Sequence, residues 1–398
     1  MNKLIYSLLF FAGITTLGCY HPSLETDLSK SSSITDDLYP VQEYDIAPNG
    51  KSKVATAQSV LYTPQAISTD HFPKLDQPMI EALKRQVKLL KYKKRKTPQK
   101  VGNLTVSNEQ LEKTAEILME ANNNDPAMLS HLLNAYKIKG QDGRGNVHFT
   151  GYYTPVLKVS HTQSPEFPYP LYTFPRDWKG KLPSRADIDG KKGVLKGKGL
   201  ELAYAKNLAD IYIMQVQGSG IVEYENGTTE LFAFTGTNKH SYSSIGNYMI
   251  RKGLTTAQHV SFSFIKKYLR EHPEHAEDIL FSNPSYVFFK PVNSNPKGAG
   301  LVPLTELHSI AVDTRYIPMG SILLGSVPVI NNKNEVIRHD FKLLIAQDIG
   351  GAIKGPGHVD LYTGVGYPAR KMASKLHHYG NLWLLLPNEE LIAPLAQR

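Results

Sequence analysis

The hydrophobic pattern of the chain changes from helical spacing in its first third to short apolar runs further on. Between residues 78 and 94, Ile80, Leu83, Val87 and Leu90 recur with the spacing that places them on one helix face. We therefore predict a helix over 78–94 that packs through this face.

Further helices are predicted from capping signals. Ser107 and Gln110 have the spacing of a capping box and predict a helix to about residue 121. Asp125 before Pro126 predicts the start of another, ending near residue 136. Ser184 marks a helical turn, and an amphipathic pattern covers 255–271. We expect the helices between 78 and 136 to buttress a core of strands.

Short apolar runs predict strands elsewhere. Residues 147–157 have a strand pattern in which Pro155 marks an edge or an end. The run 210–217 is also strand-like. Towards the C-terminus, strands are predicted at 302–304, 312–313, 321–324, 329–330, 343–347 and 359–362. Many short strands separated by turn residues are typical of a barrel or a sandwich. The sequence thus predicts a mainly β protein with flanking helices, of the α+β class.

The first 18 residues have the pattern of a signal peptide. Lys3 provides a positive start, and residues 4–17 are mostly apolar but too short for a stable membrane span. Thr16-Leu17-Gly18-Cys19 is similar to a bacterial lipobox, in which the cysteine is lipidated; a plain secretory signal is the alternative. Cys19 is the single cysteine of the chain, so no intrachain disulfide forms. Residues 19–70 are predicted to be the lipidated cysteine followed by a flexible tether.

Length and charge narrow the classes of function. With 398 residues the chain has room for two domains. The net charge of +9 comes from one segment, because residues 84–100 hold nine Lys or Arg and no acid. A nucleic-acid-binding fold with a broad basic face is therefore disfavoured. The segment itself is either a solvated helix end or a contact for anionic polymer or lipid headgroups.

Two carboxylates flank a glycine-rich loop near the C-terminus. Asp348 and Asp360 lie where predicted strands meet this loop, and residues 346–366 hold six glycines. Acid–base chemistry needs carboxylates that are held rigidly and partly desolvated. An aspartate in such a loop is more often a turn former or a cap, so both readings stay open on these two residues alone. Asp313 repeats the pattern upstream, after an apolar run and before a Pro-x-Gly turn.

In their order, these aspartates resemble the three-Asp domain of the membrane-bound lytic murein transglycosylase A family. The resemblance covers about residues 145–386. The matching segments are Val312-Asp313, Ile317-Pro318-Met319-Gly320, Gln347-Asp348-Ile349-Gly350-Gly351-Ala352-Ile353-Lys354-Gly355, Val359-Asp360-Leu361-Tyr362, Gly151-Tyr152-Tyr153-Thr154-Pro155, Leu182-Pro183-Ser184-Arg185-Ala186, Val216-Gln217-Gly218-Ser219-Gly220, Tyr242-Ser243-Ser244-Ile245-Gly246, Asn283-Pro284-Ser285-Tyr286-Val287-Phe288-Phe289, and Trp383 after His378-Tyr379-Gly380.

The resemblance implies a fold, a reaction and a location. The fold is a double-psi β-barrel built from 71–157 and 291–398, with an inserted β-rich domain at 158–290 and a substrate groove between them. The reaction is non-hydrolytic cleavage of the β-1,4 bond between N-acetylmuramic acid and N-acetylglucosamine in peptidoglycan, leaving 1,6-anhydromuramyl ends. Tyr20 after Cys19 implies an outer-membrane lipoprotein facing the periplasm. The expected partners are glycan strands, the membrane through the lipid anchor, and proteins of cell-wall synthesis or hydrolysis, with no nucleic acid.

The resemblance also assigns roles to residues. Asp360 is the single catalytic acid and base, and apolar Val359 and Leu361 are expected to raise its pKa. Asp348 and Asp313 support it. No cofactor and no metal are expected. The predicted substrate-binding residues are Tyr153, Thr154, Gln217, Gly218, Ser219, Lys354, His358 and Tyr362.

Other kinds of site fit the sequence less well. A serine nucleophile elbow needs glycine where Gln217 stands. His272 and His275 lack the His-Glu-x-x-His pattern of a zinc hydrolase and are interpreted as surface residues. An aspartic protease needs two Asp-Thr-Gly-like turns, and only Asp348-Ile349-Gly350 is similar to one. Two alternatives remain, an ordinary glycosidase using Asp348 or Asp313 as second carboxylate, and a non-catalytic peptidoglycan-binding lipoprotein.

Overall fold

The computed structural model describes residues 60–390 apart from 67, 69–71, 93, 94, 96, 125, 141, 142, 257, 258 and 389. The predicted signal peptide, Cys19 and the predicted tether up to residue 59 lie outside the described residues. The predicted end of the tether at residue 70 was wrong, because Tyr62–Gln65 form a strand of the barrel sheet and Leu61 and Tyr62 are buried. Within the described part of the chain, no helix combines the length and apolar character needed to cross a membrane.

Strands dominate the described residues. In chain order they are β1 (Tyr62–Gln65), β2 (Gln99–Val101), β3 (Leu104–Val106), β4 (Leu133–Ile138), β5 (Val147–Thr154), β6 (Val156–Ser160), β7 (Tyr169–Tyr172), β8 (Glu201–Ala205), β9 (Gly220–Tyr224), β10 (Thr229–Thr237), β11 (Val287–Val292), β12 (Ser309–Ala311), β13 (Ile322–Ile330), β14 (Val336–Asp348), β15 (His358–Val365) and β16 (His377–Pro387).

Nine α-helices of the described residues lie between these strands. They are α1 (Gln77–Tyr92), α2 (Asn108–Asn124), α3 (Leu129–Leu132), α4 (Arg185–Asp189), α5 (Leu208–Gln217), α6 (Ile245–Arg251), α7 (Phe262–Glu271), α8 (Ala276–Phe281) and α9 (Gly366–Ala373), with 3₁₀ turns at Pro126–Met128 and Pro273–His275.

Six strands close into a barrel in the order β5, β16, β13, β14, β12 and β15, and β15 pairs with β5 again. The β12–β14 and β15–β5 pairs are parallel, and the other pairs are antiparallel. The sheet continues from β16 through β4 to β1. This closed barrel with flanking helices confirms the predicted fold class.

Both faces of the central barrel strands are buried. Side chains alternate across a strand, so Leu323 and Leu344 enter the barrel interior beside Phe149. Their neighbours Leu324 and Leu343 face outwards and pack under α1 and α2. Burial on both sides explains why these segments are almost continuously apolar in the sequence.

The two N-terminal helices form as predicted. Asp76 caps α1 by accepting a hydrogen bond from the Met79 amide at 2.8 Å. Ser107 and Gln110 make both bonds of the predicted capping box, at 3.1 Å from the Gln110 amide and 2.8 Å from the Ser107 amide. The helices α1 and α2 bury Leu83 and Leu118 against the outside of the barrel, as expected for buttressing helices.

A second sheet lies between β5 and β12 in the chain. Its order is β11-β10-β9-β6-β8-β7, with β6 and β9 parallel. One core beneath this sheet centres on Val222, Phe232 and Phe289. A neighbouring core is formed by the helices α5 to α8 around Tyr212 and Met249. The strands from β6 to β11 thus form a unit of their own that interrupts the barrel in sequence.

Several local predictions were wrong. The run 210–217 is the helix α5, not a strand: Asn207 caps it by accepting from the Asp210 amide, and Gly218 ends it at a φ of +81°. The residues of α5 from Ile211 to Gln215 are all buried, so they lack the polar face that reveals a helix.

Other predicted boundaries shift. The helix predicted to run to 136 ends at Leu132, and β4 follows it directly. The helix α7 begins at Phe262 behind its cap Ser261, not at 255. Residues 302–304 contribute only an isolated bridge between Pro303 and Lys297. Residues 312–313 lie just beyond β12, whereas the runs 321–324 and 329–330 merge into the long strand β13.

Candidate active site

The barrel topology brings the two loop-flanking aspartates together. Strand β12 lies between β14 and β15, and Ala311 pairs with Asp348 on one side and with Asp360 on the other. Asp313 follows two residues after Ala311. The three aspartates that are far apart in sequence therefore meet at one end of β12.

Asp360 sits in a partly buried position on β15. The parallel pairing of β15 with β5 places Thr150 beside it, and the Thr150 hydroxyl donates to Asp360 Oδ1 at 2.7 Å. Burial raises the pKa of Asp360 to about 7; the Thr150 hydrogen bond opposes this shift and the nearby Asp348 charge adds to it. The carboxyl is consequently protonated in much of the population at neutral pH, as a general acid requires.

His358 shares the strand face of Asp360, as predicted from their spacing. Its Nε2 lies 3.0 Å from the Thr150 hydroxyl. The single hydroxyl proton goes to Asp360, so we assign the proton in this contact to His358 Nε2. Burial and, to a lesser extent, the neighbouring His377 lower the pKa of His358 to about 4, so the ring is neutral at pH 7.

A second histidine pair extends this polar cluster. His148 Nε2 lies 3.1 Å from His377 Nδ1, and the ring centroids of His148 and His358 are 5.0 Å apart. Burial, together with the neighbouring histidines, lowers the pKa of His148 to about 3. The neutral His148 and His358 rings therefore add no positive charge near Asp360 that would favour its ionised form.

Asp348 is held by several donors. Its Oδ1 accepts from the Ala299 and Ile349 amides at 2.9 and 2.8 Å, and its Oδ2 accepts from the Tyr152 hydroxyl at 3.0 Å. Burial raises the pKa of Asp348 while these hydrogen bonds lower it. Gly298 permits the close approach of the loop, because a β-carbon there would lie 2.3 Å from the Gln347 carbonyl oxygen. Asp348 thereby ties this loop to the end of β14.

Asp313 is an ionised anchor. Arg315 donates two hydrogen bonds to its carboxylate, and the Gly355 amide donates another at 2.9 Å. Burial opposes ionisation of Asp313, but the Arg315 and Gly355 bonds outweigh it and lower its pKa to about 2. The carboxylate therefore fixes the loop between β14 and β15 and is not available as a proton donor.

Aromatic and hydroxyl side chains line the same face of β5. Every second residue of β5 lies on that face, which places Thr150, Tyr152 and Thr154 there. The Thr154 and Tyr362 hydroxyls are 2.9 Å apart, and the ring centroids of Tyr152 and Tyr362 are 5.3 Å apart. The polar network thus runs from Asp360 along β5 to Tyr362.

The remaining predicted residues lie around this network. Tyr153 points to the opposite face of β5, where its ring packs against Ile213 and Ala369. The Tyr153 amide donates to Gln217 Oε1 at 2.8 Å. Gly218 and Ser219 follow Gln217 at the end of α5, next to the end of β5. Lys354 is exposed on the loop that Asp313 holds.

Three residues of the network, Thr150, His148 and His377, were not predicted. Tyr152 belongs to the predicted segment 151–155 but was not singled out as a substrate-binding residue. The alternation along β5 would have placed Thr150 and Tyr152 on the face of Thr154. The contact between His148 and His377 depends on the pairing of β5 with β16, which no local signal reveals. In the described residues, Asp360 belongs to no group of three His, Cys, Asp or Glu side chains close enough to hold one metal ion.

Comparison with known proteins identifies the family. The model of the MltA-specific insert domain matches residues 148–290, and that of the 3D domain matches residues 308–386. Membrane-bound lytic murein transglycosylase A of Escherichia coli K12 is 42% identical over 257 residues, which are 64% of this chain and 69% of that protein. The Vibrio cholerae serotype O1 protein of the same name is 41% identical over 278 residues, 68% of this chain and 74% of that protein.

Solved structures agree with the sequence comparisons. A crystal structure of E. coli MltA with bound chitohexaose superposes with a TM-score of 0.68 at 31% identity, covering 86% of this chain and 98% of that one. Another E. coli MltA crystal structure superposes with a TM-score of 0.57 at 33% identity, covering 82% and 95%. The expected barrel with an additional β-rich unit is shared with these proteins. The chain therefore belongs to the membrane-bound lytic murein transglycosylase A family.

Proposed function

We propose that this protein is a lytic transglycosylase that cleaves the β-1,4 bond between N-acetylmuramic acid and N-acetylglucosamine in peptidoglycan, with Asp360 as its single acid and base. Membership of the family supports the peptidoglycan substrate and the reaction class. The observation that carries the assignment of Asp360 is its raised pKa of about 7 in a partly buried position beside Thr150.

The reaction proceeds with one carboxyl group. Protonated Asp360 donates its proton to the glycosidic oxygen as the bond from that oxygen to the muramyl C1 breaks. The 6-hydroxyl of the same muramyl residue then attacks C1, and the Asp360 carboxylate accepts the hydroxyl proton. Attack within one sugar has the advantage of proximity, and the product is a 1,6-anhydro ring with no water consumed.

The other two aspartates support this role. The hydrogen bonds to Asp348 hold its carboxyl at the end of β14, where its charge helps to raise the pKa of Asp360. Asp313 fixes the loop between β14 and β15 through Arg315 and Gly355. Because both carboxyls are already engaged by protein donors, a hydrolase that uses one of them to activate water is the weaker alternative.

The substrate contacts are proposed along the groove between the barrel and the inserted unit, whose boundaries we propose at 158–290. Tyr362, Thr154 and His358 lie on the network that includes Asp360. Gln217, Gly218 and Ser219 approach from the end of α5, and Lys354 from the loop between β14 and β15. Tyr153 contributes through its backbone contact with Gln217.

We also propose that the protein is a lipoprotein of the outer membrane, attached through Cys19 and facing the periplasm. Its relatives are named membrane-bound. The lipobox-like segment before Cys19 and the sequence of 20–59 support a lipid anchor followed by a tether that ends before β1. A tether of this length gives the anchored enzyme access to glycan strands and to other cell-wall proteins.

Mass spectrometry of muropeptides tests the proposed reaction. Purified murein is digested with residues 20–398, with the Asp360→Asn variant, and with Asp340→Asn, an exposed aspartate on β14 as matched control. We expect products about 18 mass units lighter than hydrolytic products, the mass of one water, absent only with Asp360→Asn. Products of full hydrolytic mass would replace the proposal with a two-carboxylate glycosidase, and no products from the folded protein would favour a binding protein.

A further inference from the structure

The chain leaves α7 through a short turn that gathers two imidazoles and a carboxylate. His272 caps α7, Pro273–His275 form a 3₁₀ turn, and α8 begins at Ala276. Side chains three residues apart eclipse one another in such a turn. The His275 amide donates to the His272 carbonyl at 3.1 Å, and the two rings stack with centroids 5.5 Å apart and planes 15° from parallel.

The potential ligand atoms of this turn converge. His272 Nδ1 lies 3.4 Å from Glu274 Oε1, and His275 Nε2 lies 3.9 Å from the same oxygen. The ligand atoms of the three side chains all lie within 4.8 Å of one another. Neighbouring ligands of a tetrahedral zinc ion with bonds of about 2.0–2.1 Å are separated by about 3.3 Å. Small side-chain rotations are therefore sufficient to place three ligands around one ion.

Tyr268 orients one of the ligands. Its hydroxyl lies 2.9 Å from His275 Nδ1, which leaves His275 Nε2 directed towards Glu274. Metal-binding histidines are commonly held through their second nitrogen in this manner. The side chains of His272, Glu274 and His275 are 45%, 62% and 44% exposed, so an ion reaches them from solvent and keeps a coordination position open for water.

We propose that His272, Glu274 and His275 form a binding site for a divalent transition-metal ion, with Zn²⁺ as the ion that two imidazoles and one carboxylate suit. Tyr268 is a positioning residue. The His-Glu-x-x-His pattern describes two histidines four residues apart on an α-helix, so its absence excludes only a zinc hydrolase site of that kind. His272 and His275 are three residues apart and are brought together by the 3₁₀ turn instead. The ion links the end of α7 to the start of α8 and takes no part in cleavage of the glycan.

Isothermal titration with ZnCl₂ tests this site on the chelator-treated, full-length chain in detergent. One ion is expected to bind the wild type. His275→Ala and Glu274→Gln should abolish this binding, and Tyr268→Phe should weaken it about tenfold because it removes only the orienting hydroxyl. His131→Ala, an exposed histidine on α3, is the matched control and should bind as the wild type.

Separate outcomes would overturn the proposal. One is a folded wild-type protein that binds no zinc. Another is unchanged binding in His275→Ala. A third is binding that survives in His275→Ala but is lost in His377→Ala, which would place the ion at the histidines near Asp360. Thermal melting of each variant checks folding, and murein cleavage should be unaffected by His275→Ala, which keeps this test independent of the proposed reaction.

Discussion

At the scale of single residues, the proposed cleavage depends on the environment of one carboxyl group. Asp360 has a pKa near 7 because burial disfavours its charge and Asp348 stands nearby, while the Thr150 hydroxyl partly offsets both effects. Asp313, in the same cluster, has a pKa of about 2 because Arg315 and Gly355 stabilise its charge. Opposite pKa shifts in neighbouring carboxyls separate the proton donor from the anchor.

The pH dependence of cleavage follows from this difference. Asp360 must start protonated, so kcat/KM should fall as the pH rises through about 7. Asp313 stays ionised until far lower pH, so its titration should not change kcat/KM between pH 4 and 7. The measurement is the rate of anhydromuropeptide release between pH 4 and 9. A rate that shows no decline up to pH 9, or one that already declines above pH 5, would contradict the assignment.

Replacing the Thr150 hydroxyl should alter both rate and pH profile. The hydroxyl donates to Asp360 and lowers its pKa, so Thr150→Val should move the alkaline limb to higher pH. Loss of one hydrogen bond to a catalytic carboxyl should also reduce kcat by roughly 10- to 100-fold. Thr150→Ser keeps the hydroxyl and should restore both. A pH profile of Thr150→Val identical to that of the wild type would show that the Thr150 hydroxyl does not influence the pKa of Asp360.

The raised pKa of Asp360 also affects stability. In the folded state the group holds its proton to about pH 7, so it contributes stability that is complete below the unfolded pKa and is lost as the pH rises through 7. Asp360→Asn removes this pH-dependent loss of stability, because an asparagine side chain cannot ionise. The variant should therefore melt at least about 2 °C above the wild type at pH 8, with a smaller difference at pH 4. Equal differences at both pH values would contradict a raised pKa.

At the scale of elements, the loop between β14 and β15 is held by a specific ion pair. Arg315→Ala should leave the buried Asp313 with the Gly355 amide and fewer donors. We expect kcat to fall roughly tenfold as the loop loses its position. Because the lowered pKa of Asp313 contributes stability above the unfolded pKa, lost as the pH falls through about 2, the loss of melting temperature should be larger at pH 7 than at pH 3.

The chain offers a matched control for this change. Arg338 contacts Asp340 with the same two-residue spacing, but both side chains are exposed. Exposed ion pairs contribute little to stability, so Arg338→Ala should leave melting temperature and kcat near the wild-type values. If Arg315→Ala and Arg338→Ala change melting temperature and kcat equally, burial of Asp313 does not strengthen its ion pair.

The elements also show what the sequence can and cannot predict. The glycine-rich loop and its aspartates were found because turn residues and carboxylates recur locally. The capping box at Ser107 forms as its spacing indicated, and the helical turn predicted at Ser184 is the helix α4. The helix α5 was missed because its consecutive buried residues conceal helical periodicity. The His148–His377 contact was missed because it depends on two strands that are 229 residues apart.

At the scale of the whole molecule, Gln217 connects the inserted unit to the barrel. It ends α5 of the inserted unit, and its Oε1 accepts from the Tyr153 amide on barrel strand β5. Gln217→Ala leaves that amide unpaired, which should cost about 1–3 kcal/mol and lower the melting temperature and the rate together. Gln163→Ala, which removes an exposed hydrogen bond to Pro168, serves as control. If Gln217→Ala keeps the wild-type melting temperature and rate, this hydrogen bond does not couple the inserted unit to the barrel.

The basic segment at 84–100 is partly used for packing. Lys91 contacts Glu112 and Glu116 on α2, and Arg95 donates to Asn108 at the start of α2. These contacts favour an internal role for part of the positive charge. The surface of α1 still presents Lys84 and Lys88, so a contact with anionic polymer or lipid stays a prediction for the exposed part of this segment.

An oxygen-isotope experiment distinguishes attack by the muramyl 6-hydroxyl from attack by water. Murein is digested with the wild-type protein in water enriched in ¹⁸O, and the new muramyl ends are analysed by mass spectrometry. Cleavage by Asp360 with attack of the muramyl 6-hydroxyl predicts anhydro ends that contain no ¹⁸O. New reducing ends that each carry one ¹⁸O would contradict the account, because water would then be the nucleophile and a second carboxylate would be required.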